Sequence, residues 1–536
     1  MTRASSLVIA LVVALVGCGG SRDGAYNGLA KPKVEIAWPA RGRSFSASGA
    51  ATAARLTFVG AGELGGDVSM VVSRPEGAEL AVSRYVLSQA LKPGNYPLRV
   101  EFLATSDSSL VLAVANVSLQ LMRNGELRRM DGQRLGTIGF ESKVTALVLP
   151  SETRIDLGET VDFPITAVTD AGITALAPGS VRLALTSGEA FVRIDPSGSV
   201  TARSVGVATV VASVDGVSSS PAALRALGAP LTPRIFPLTD VTDLTVDPVR
   251  GKLWLIRAEQ YGVQTFDPVT SRSGAVFTAG AEPTTLAISE DGTRVYAGSK
   301  AGGSIVVIDG VNEVRGIDAG LPRSPLGTVP YALQIAVQPG SNSAVALTSR
   351  DVAGNRFGPS VIDVPYPRPN RMGVQDGDRL VWTAPDRIVA YTLGGRMTEL
   401  AVDSEGVTLI REVSATAGLT GLVKAGDRLY DRSGAIYDAA TLVRLGEFPI
   451  PTEGDSQFDG PAIQTATGTA YYVEKLGTDV FLRSYNLADF TEKSVRRITG
   501  LQTGVAVDGL HTSLLVANPS TLAFRLNGGF VLLDNP

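Results

Sequence analysis

The sequence predicts an all-β protein of several domains, and three observations carry that prediction. Glycine (59) and proline (30) are abundant without a collagen-like period, and they fall between short apolar runs. Those runs alternate apolar and polar residues, as in Tyr96-Pro-Leu-Arg-Val-Glu-Phe102, the period-two signature of half-buried strands. From Leu244 onward a strand–turn–strand unit recurs at spacings of roughly 40 to 50 residues, the spacing of a repeat architecture. A length of 536 residues predicts roughly three or four domains. With 44% hydrophobic and 19% charged residues the chain can bury ample core, and disorder is not expected.

The first element is not a strand. Arg3 precedes the apolar run Leu7 to Val16, a charged region followed by a hydrophobic one of secretory size. Cys18, the single cysteine, comes directly after it. A free cysteine is commonly a small buried hydrophobe, and a plain cleaved leader would also fit. Its position after an apolar stretch too short to span a bilayer argues for a third fate. The residues Leu15-Val16-Gly17-Cys18 resemble the lipobox of bacterial lipoproteins. That resemblance implies a diacylglyceryl thioether on Cys18, removal of residues 1–17, and acylation of the new N-terminus. Multiple acyl chains anchor stably where one would not. Gly19 rather than an aspartate after the cysteine resembles cargo sent to the outer membrane, if the host has one. The expected location is therefore the cell envelope, outside the cytoplasm. No second cysteine exists, so no intramolecular disulfide can form, and the domains rely on apolar cores.

Residues 18–32 then read as a lipidated Gly/Ser/Ala-containing tether. Residues 33–142 read as strands: Ala54–Val59, Val68–Val72, Tyr96–Phe102, Leu110–Ala115 and Val117–Leu121. Leu91-Lys-Pro-Gly-Asn-Tyr96 resembles the tyrosine corner of immunoglobulin-like sandwiches. The resemblance implies that the Tyr96 hydroxyl returns to a nearby backbone group, and that this segment is an Ig-like β-sandwich. Residues 143–227 resemble the bacterial immunoglobulin-like group 2 domain. The match runs through Val148-Leu-Pro150, Ile155-Asp-Leu-Gly-Glu159, Val192–Ala202 and Gly206–Ala212. Asp195-Pro-Ser-Gly198 is a turn, with proline presetting φ and glycine free to take positive φ. Val207, Thr209 and Val211 share one face of the next strand, and Ala208, Val210 and Ala212 the other. The resemblance implies spacing or adhesion rather than catalysis.

Divided by seven, residues 228–536 give about 44 per unit, the period of a propeller blade. Units start at Leu244, Leu286, Ile335, Leu380, Leu422, Ile463 and Val505, with an insertion expected as a loop over Arg350 to Pro359. Leu244–Pro248 before Lys252–Ile256, and Leu286–Ser289 before Arg294–Ala297, resemble the blades of YVTN-like bacterial propellers. A propeller commonly completes its last blade with strands from both ends. Arg234–Leu238 and Phe530–Leu533 are the expected closing pair. The predicted fold class is thus all-β, two immunoglobulin-like β-sandwiches followed by a seven-bladed β-propeller.

The chemistry looked for is mostly not there. Net charge is −4, and the one locally basic stretch, Leu121 to Met130, contains Glu126 and reads as a solvated hairpin, so nucleic acid is not an expected partner. Gly60-Ala-Gly-Glu-Leu-Gly65 has dinucleotide-loop spacing, but a strand follows it where that site needs a helix. His511, the sole histidine, sits in a turn-like Leu510-His-Thr-Ser513, which removes His-pair metal sites and leaves a Ser-His-Asp triad without support. Asp376-Gly-Asp378 and Asp291-Gly292 lack the ligand spacing of a calcium loop and read as turns. Tyr437-Asp-Ala-Ala-Thr441 resembles a fragment of the quinoprotein propeller repeat, whose glycine and tryptophan are missing. No catalytic set, cofactor or metal is expected, and the chain is not expected to be an enzyme. The expected partners are the membrane, through lipid on Cys18, and a protein or glycan ligand. A periplasmic scaffold lipoprotein is the alternative, and a propeller hydrolase or lyase the third class.

Overall fold

The computed structural model describes residues 28–38, 50–75, 82–106, 109–131, 141–176, 179–323, 327–372, 379–392, 395–415, 419, 421–451, 456–501, 514–526 and 529–536. The chain is all-β and divides into two compact units, Met1–Gly228 and Ala229–Pro536.

In the first unit one sheet runs in the order Val68–Ser73, Ala53–Phe58, Gly94–Leu103, Val111–Leu121, Leu127–Arg129, with Glu141–Ser142 also on Val111–Leu121. Lys33–Ala37 and Val82–Val86 form a separate antiparallel pair. Trp38, Phe58 and Phe102 are buried, and Trp38 meets Phe102 edge-on with centroids 5.9 Å apart. The two strands expected over Leu110–Ala115 and Val117–Leu121 are one continuous strand of 11 residues. Asn116 does not break it because its backbone pairs with Arg99 while its side chain faces solvent. The glycine-rich Gly60–Gly65 is a hairpin loop between strands, closed by Gly62 donating to the Gly66 carbonyl at 2.7 Å. Tyr96 is half-buried, and its hydroxyl donates to the Lys92 carbonyl at 2.6 Å.

Further along this unit a sheet runs Glu152–Ile155, Ala222–Ala226, Gly206–Val214, Arg182–Ser187, and the segment also holds two three-stranded sheets. Glu152–Ile155 pairs parallel to Ala222–Ala226, and the other neighbours in that sheet are antiparallel. Ala208, Val210, Ala212 and Val214 are buried while Val207 is exposed, so the period-two pattern of the strand sorts its faces as the sequence predicts. Asp195 makes the turn between Val192–Ile194 and Ser199–Ala202, its Oδ1 accepting from the Ser197 and Ser199 amides at 2.9 and 3.0 Å, with Gly198 at φ +85.

The second unit is a β-propeller. Among the described residues it contains seven sheets of at least four strands each, and in the first six of them four strands follow in chain order from the centre outward. The first five blades are Val241–Thr278, Pro283–Gly320, Tyr331–Pro367, Arg379–Ser414 and Leu422–Glu447. The sixth combines Gln457–Ile498 with an extra outer strand, Gly228–Leu231. The seventh takes three strands from Leu515–Asp534 and its outermost from Arg234–Phe236. The closing register is Arg234↔Leu532, Ile235↔Val531, Phe236↔Phe530, the two segments that the sequence nominates. Phe236 stacks on Phe530 at 4.9 Å, Phe266 meets both rings edge-on, and Arg234 grips Asp534 through two bonds of 2.7 and 2.8 Å.

Six of the seven expected unit starts, Leu244, Leu286, Ile335, Leu380, Leu422 and Ile463, lie in innermost strands. Val505 falls outside the described residues, and the innermost strand described in that blade is Leu515–Asn518. The insertion expected as a loop over Arg350 to Pro359 is instead an extended hairpin, because Ala344–Arg350 and Arg356–Asp363 are both strands. Asp351 closes its turn by accepting from the Asn355 amide at 2.8 Å and the Asn355 side chain at 2.9 Å.

Candidate functional site

An innermost strand has a ladder neighbour on one side only, so its channel-side N–H and C=O groups need other partners. Side chains supply several of them, and a side-chain to backbone bond ties every junction of the ring. Asp243 accepts from the Leu286 amide at 2.8 Å, joining blades one and two. Thr284 donates to the Ala332 carbonyl at 2.8 Å. Gln334 both donates to the Leu380 carbonyl and accepts from its amide, at 3.0 and 2.9 Å. The Tyr391 hydroxyl accepts from the Leu422 amide at 2.9 Å. Tyr472 donates to the Asp431 carbonyl at 2.9 Å, Gln464 donates to the Pro519 carbonyl at 2.6 Å, and Arg525 donates to the Thr242 carbonyl to complete the circle. Each bond runs from a side chain on one blade to backbone on an adjacent blade.

The innermost strands enclose a cavity of about 340 Å³. Its wall is chemically lopsided. Blades one to four mix Asp243, Thr285, Gln334 and Arg379 with Leu244, Leu286 and Ile335, whereas blades five to seven contribute apolar residues such as Leu422, Pro461, Ala462, Ile463 and Leu515. Tyr391 stands directly opposite Arg379 in the strand register and also lines the cavity. Burial pushes the Tyr391 hydroxyl up to about 12, so it stays protonated.

Buried charges away from the cavity are held in pairs. Arg483 is fully buried between Glu474 (2.8 Å) and Glu492 (2.6 Å). Arg257 pairs with Asp240 at 2.7 Å, both largely buried. These are packing devices within blades, since burying a charge without a partner is costly.

Of the residues singled out from the sequence, Cys18, His511, Asp376, Gly377 and Asp378 lie outside the described residues. Tyr96 lies in the first unit. Asp291 is a turn cap: its carboxylate accepts from the Thr293 amide at 3.0 Å and the Ser289 hydroxyl at 2.5 Å, which holds it down at about 2. Among the described residues no three His, Cys, Asp or Glu side chains converge as metal ligands. Tyr437 and Asp438 belong to a pattern that the apolar unit starts did not reveal. The third strand of all seven blades ends in a buried apolar or aromatic residue followed by Asp or Asn: Asp267, Asp309, Asp363, Asp403, Asp438, Asn486 and Asp534. Five of these accept from the amide two residues on, at 2.8 to 3.1 Å, and so turn the chain into the outer strand. Asp363 and Asp534 instead hold Arg368 and Arg234. The signal was a recurring apolar–Asp step, visible in Phe266-Asp267, Ile308-Asp309 and Ile362-Asp363.

No protein-family signature matches the chain, and no curated protein matches it. Solved structures do match it at low identity. The β-propeller domain of Cps50 (Swd1) from Myceliophteria thermophila is 13% identical and covers 56% of this chain and 99% of its own, with a TM-score of 0.44. A structure of U3-55K is 11% identical over 56% of this chain and 98% of its own, TM-score 0.41. The WD40 repeats of RRP9 are 11% identical over 57% and 97%, TM-score 0.42. The propeller assignment stands on the chain's own strand order and closing register.

Proposed function

We propose that the chain is a lipid-anchored binding protein of the cell envelope, held by Cys18 and presenting its propeller to a protein or glycan. Residues 33–142 and 143–227 serve in this reading as an Ig-like stalk. The observation that carries the binding role is the state of the cavity wall. Asp243 and Tyr391, which elsewhere would be candidates for proton transfer, each hold the backbone of a neighbouring blade, as does Gln334. A general base must reach the proton it removes, and these groups face backbone amides. What they leave is a hollow with one mixed polar and apolar sector and one apolar sector, suited to recognition. For the stalk, support comes from the Tyr96–Lys92 bond and the turn at Asp195. For the anchor it comes from Leu15-Val16-Gly17-Cys18 alone.

The test is protease shaving of intact cells expressing wild type or Cys18→Ser, with detection of the propeller. Cleavage in intact cells of the wild type supports outward presentation of a binding module. Protection until the envelope is opened replaces adhesion with the periplasmic scaffold reading. A Cys18→Ser form that stays in the membrane fraction removes the anchor.

A further inference from the structure

We propose that the N-terminal sheet docks by one end on a lipid surface bearing anionic headgroups. Leu64 enters the acyl boundary there, and Lys31, Lys33, Lys92 and Arg123 meet the headgroup phosphates. The inference rests on the reading of the chain as a membrane-anchored envelope protein and adds a second membrane contact to it.

Four segments meet at that end. The chain enters at Ala30, which exchanges backbone hydrogen bonds with Leu91 at 2.7 and 2.8 Å. The Lys33 amide donates to the Gly125 carbonyl at 2.9 Å, which brings in the turn between Val111–Leu121 and Leu127–Arg129. Lys92 accepts the Tyr96 hydroxyl and precedes Gly94–Leu103, whose first residue pairs with Leu121. Leu98 pairs with Phe58, and the Val59 amide donates to the Pro97 carbonyl at 2.9 Å. The hairpin tip of residues 60–66 therefore projects past the same edge of the sheet.

The surface of this end is both apolar and basic. Among the described residues of 28–142, the exposed large apolar side chains are Leu29, Val59, Leu64, Val71, Val86 and Met130, and only Val71 and Met130 lie away from it. Leu64 is fully exposed at φ +65, a left-handed conformation that costs a branched side chain energy and gains it no packing here. Lys31, Lys33, Lys92 and Arg123 are exposed, and none has a carboxylate at ion-pair distance among the described residues. Of the nearby carboxylates, Asp67 accepts from the Gly60 amide at 2.9 Å and Glu126 pairs with Arg128 at 3.2 Å. Even with Glu63 of the tip counted, the cations outnumber the anions here, on a chain whose net charge is −4. Position then selects a bilayer as the partner. In the anchored reading about 12 residues separate Cys18 from Ala30, a reach of at most roughly 40 Å, so the lipid holds this end of the sheet near the membrane. Basic side chains around an apolar tip suit an anionic interface, and such a patch strengthens an acyl anchor.

The experiment places the full chain on vesicles of phosphatidylcholine and phosphatidylglycerol at about 7:3, with bromine on the acyl chains, and reads the fluorescence of Leu64→Trp. Trp38, Trp254 and Trp382 are buried, so the wild type supplies the background. The bromines should quench the added signal by about half. Each Lys→Gln or Arg→Gln change at positions 31, 33, 92 and 123 should lower the docking equilibrium about fivefold, so the variant carrying all four should lose the quenching. Melting temperatures are recorded alongside, and all the substituted side chains are exposed. Absence of quenching in a protein that floats with the vesicles overturns the proposal and leaves the anchor standing. Equal quenching in the four-site variant, or on vesicles of phosphatidylcholine alone, overturns recognition of anionic headgroups. A Cys18→Ser form that floats like the wild type with its quenching intact removes the lipid anchor and keeps the docking end. A chain that does not float with the vesicles at all overturns both.

Discussion

Truncating Phe236 to alanine tests whether the propeller is closed by the strand that precedes its first blade. Phe236 lies on the outermost strand of the seventh blade, stacked on Phe530 at 4.9 Å and edge-on to Phe266 at 4.7 Å. Removing a fully buried phenylalanine side chain costs about 3–5 kcal/mol. Phe236 is only half-buried, so roughly half of that, about 2 kcal/mol, is expected. The stacked pair itself accounts for about 0.5–1.5 kcal/mol of this, which a double-mutant cycle with Phe530→Ala would isolate. For a unit of this size each kcal/mol moves the melting temperature by about 2–4 °C, so a fall of about 4–8 °C is expected. The assay is thermal unfolding of the chain by circular dichroism, with Arg234→Ala as a comparison. The Arg234–Asp534 pair is 35% and 44% exposed, so its loss should cost below about 1 kcal/mol. A Phe236→Ala melting temperature no lower than that of Arg234→Ala would refute closure by aromatic packing.

Tyr96→Phe removes the hydrogen bond to the Lys92 carbonyl and should cost about 1 kcal/mol in denaturant unfolding of the full chain; an unchanged midpoint rejects a stabilising corner. Glu474→Gln leaves the buried Arg483 charge with only the partly exposed Glu492, and should destabilise by about 3–5 kcal/mol, well beyond Glu492→Gln. Equal effects of those two variants would show that burial of the pair carries no weight. Acid should weaken the propeller in a defined window. Hydrogen bonds from turn amides, side chains and arginine hold Asp267, Asp309, Asp363, Asp438 and Asp534 below the usual carboxylate value, and Asp291 at about 2. A depressed folded value means stability that is fully present above the unfolded value near 3.9 and is lost as pH falls through the folded one. Melting temperature should therefore drop as pH falls from about 4 toward 2 and change little from these groups between 5 and 8, and a flat profile down to about pH 2 contradicts the caps.

The propeller was legible because its inner strands announce themselves by local pattern. Leu244, Leu286, Ile335, Leu380, Leu422 and Ile463 each begin an apolar run that packs between neighbouring blades. The closing pair was legible by position, since Arg234–Phe236 and Phe530–Leu533 were apolar stretches left over at the two ends of the repeat. The extra strand Gly228–Leu231 was not, because Gly-Ala-Pro-Leu has neither alternation nor β-branching; its pairing comes from lying beside Glu492–Ile498 in the folded ring. The Arg350–Pro359 segment misled for a similar reason. Asn355, Gly358 and Pro359 look like loop residues, yet their neighbours Arg356 and Phe357 pair with Arg350 and Ser349. The candidate site was hidden for a different reason. Arg379 and Tyr391 are 12 positions apart with no motif between them, and only the hairpin register places them opposite one another. Asp243 and Gln334 gave no signal either, because their partners are backbone amides about 45 residues away.

The shared seventh blade also sets the order in which the ring is made. Arg234 and Asp534, which clasp each other in the finished structure, are separated by 300 residues of chain. The strand that seals the ring, Arg234–Phe236, is synthesised before all the inner strands, and its partner Gly529–Asp534 follows the first six blades. Through that interval the apolar side of Phe236 waits without Phe530, and the first and seventh blades cannot meet. A ring of this design cannot be sealed blade by blade, because its closure waits on two strands that are far apart in the chain.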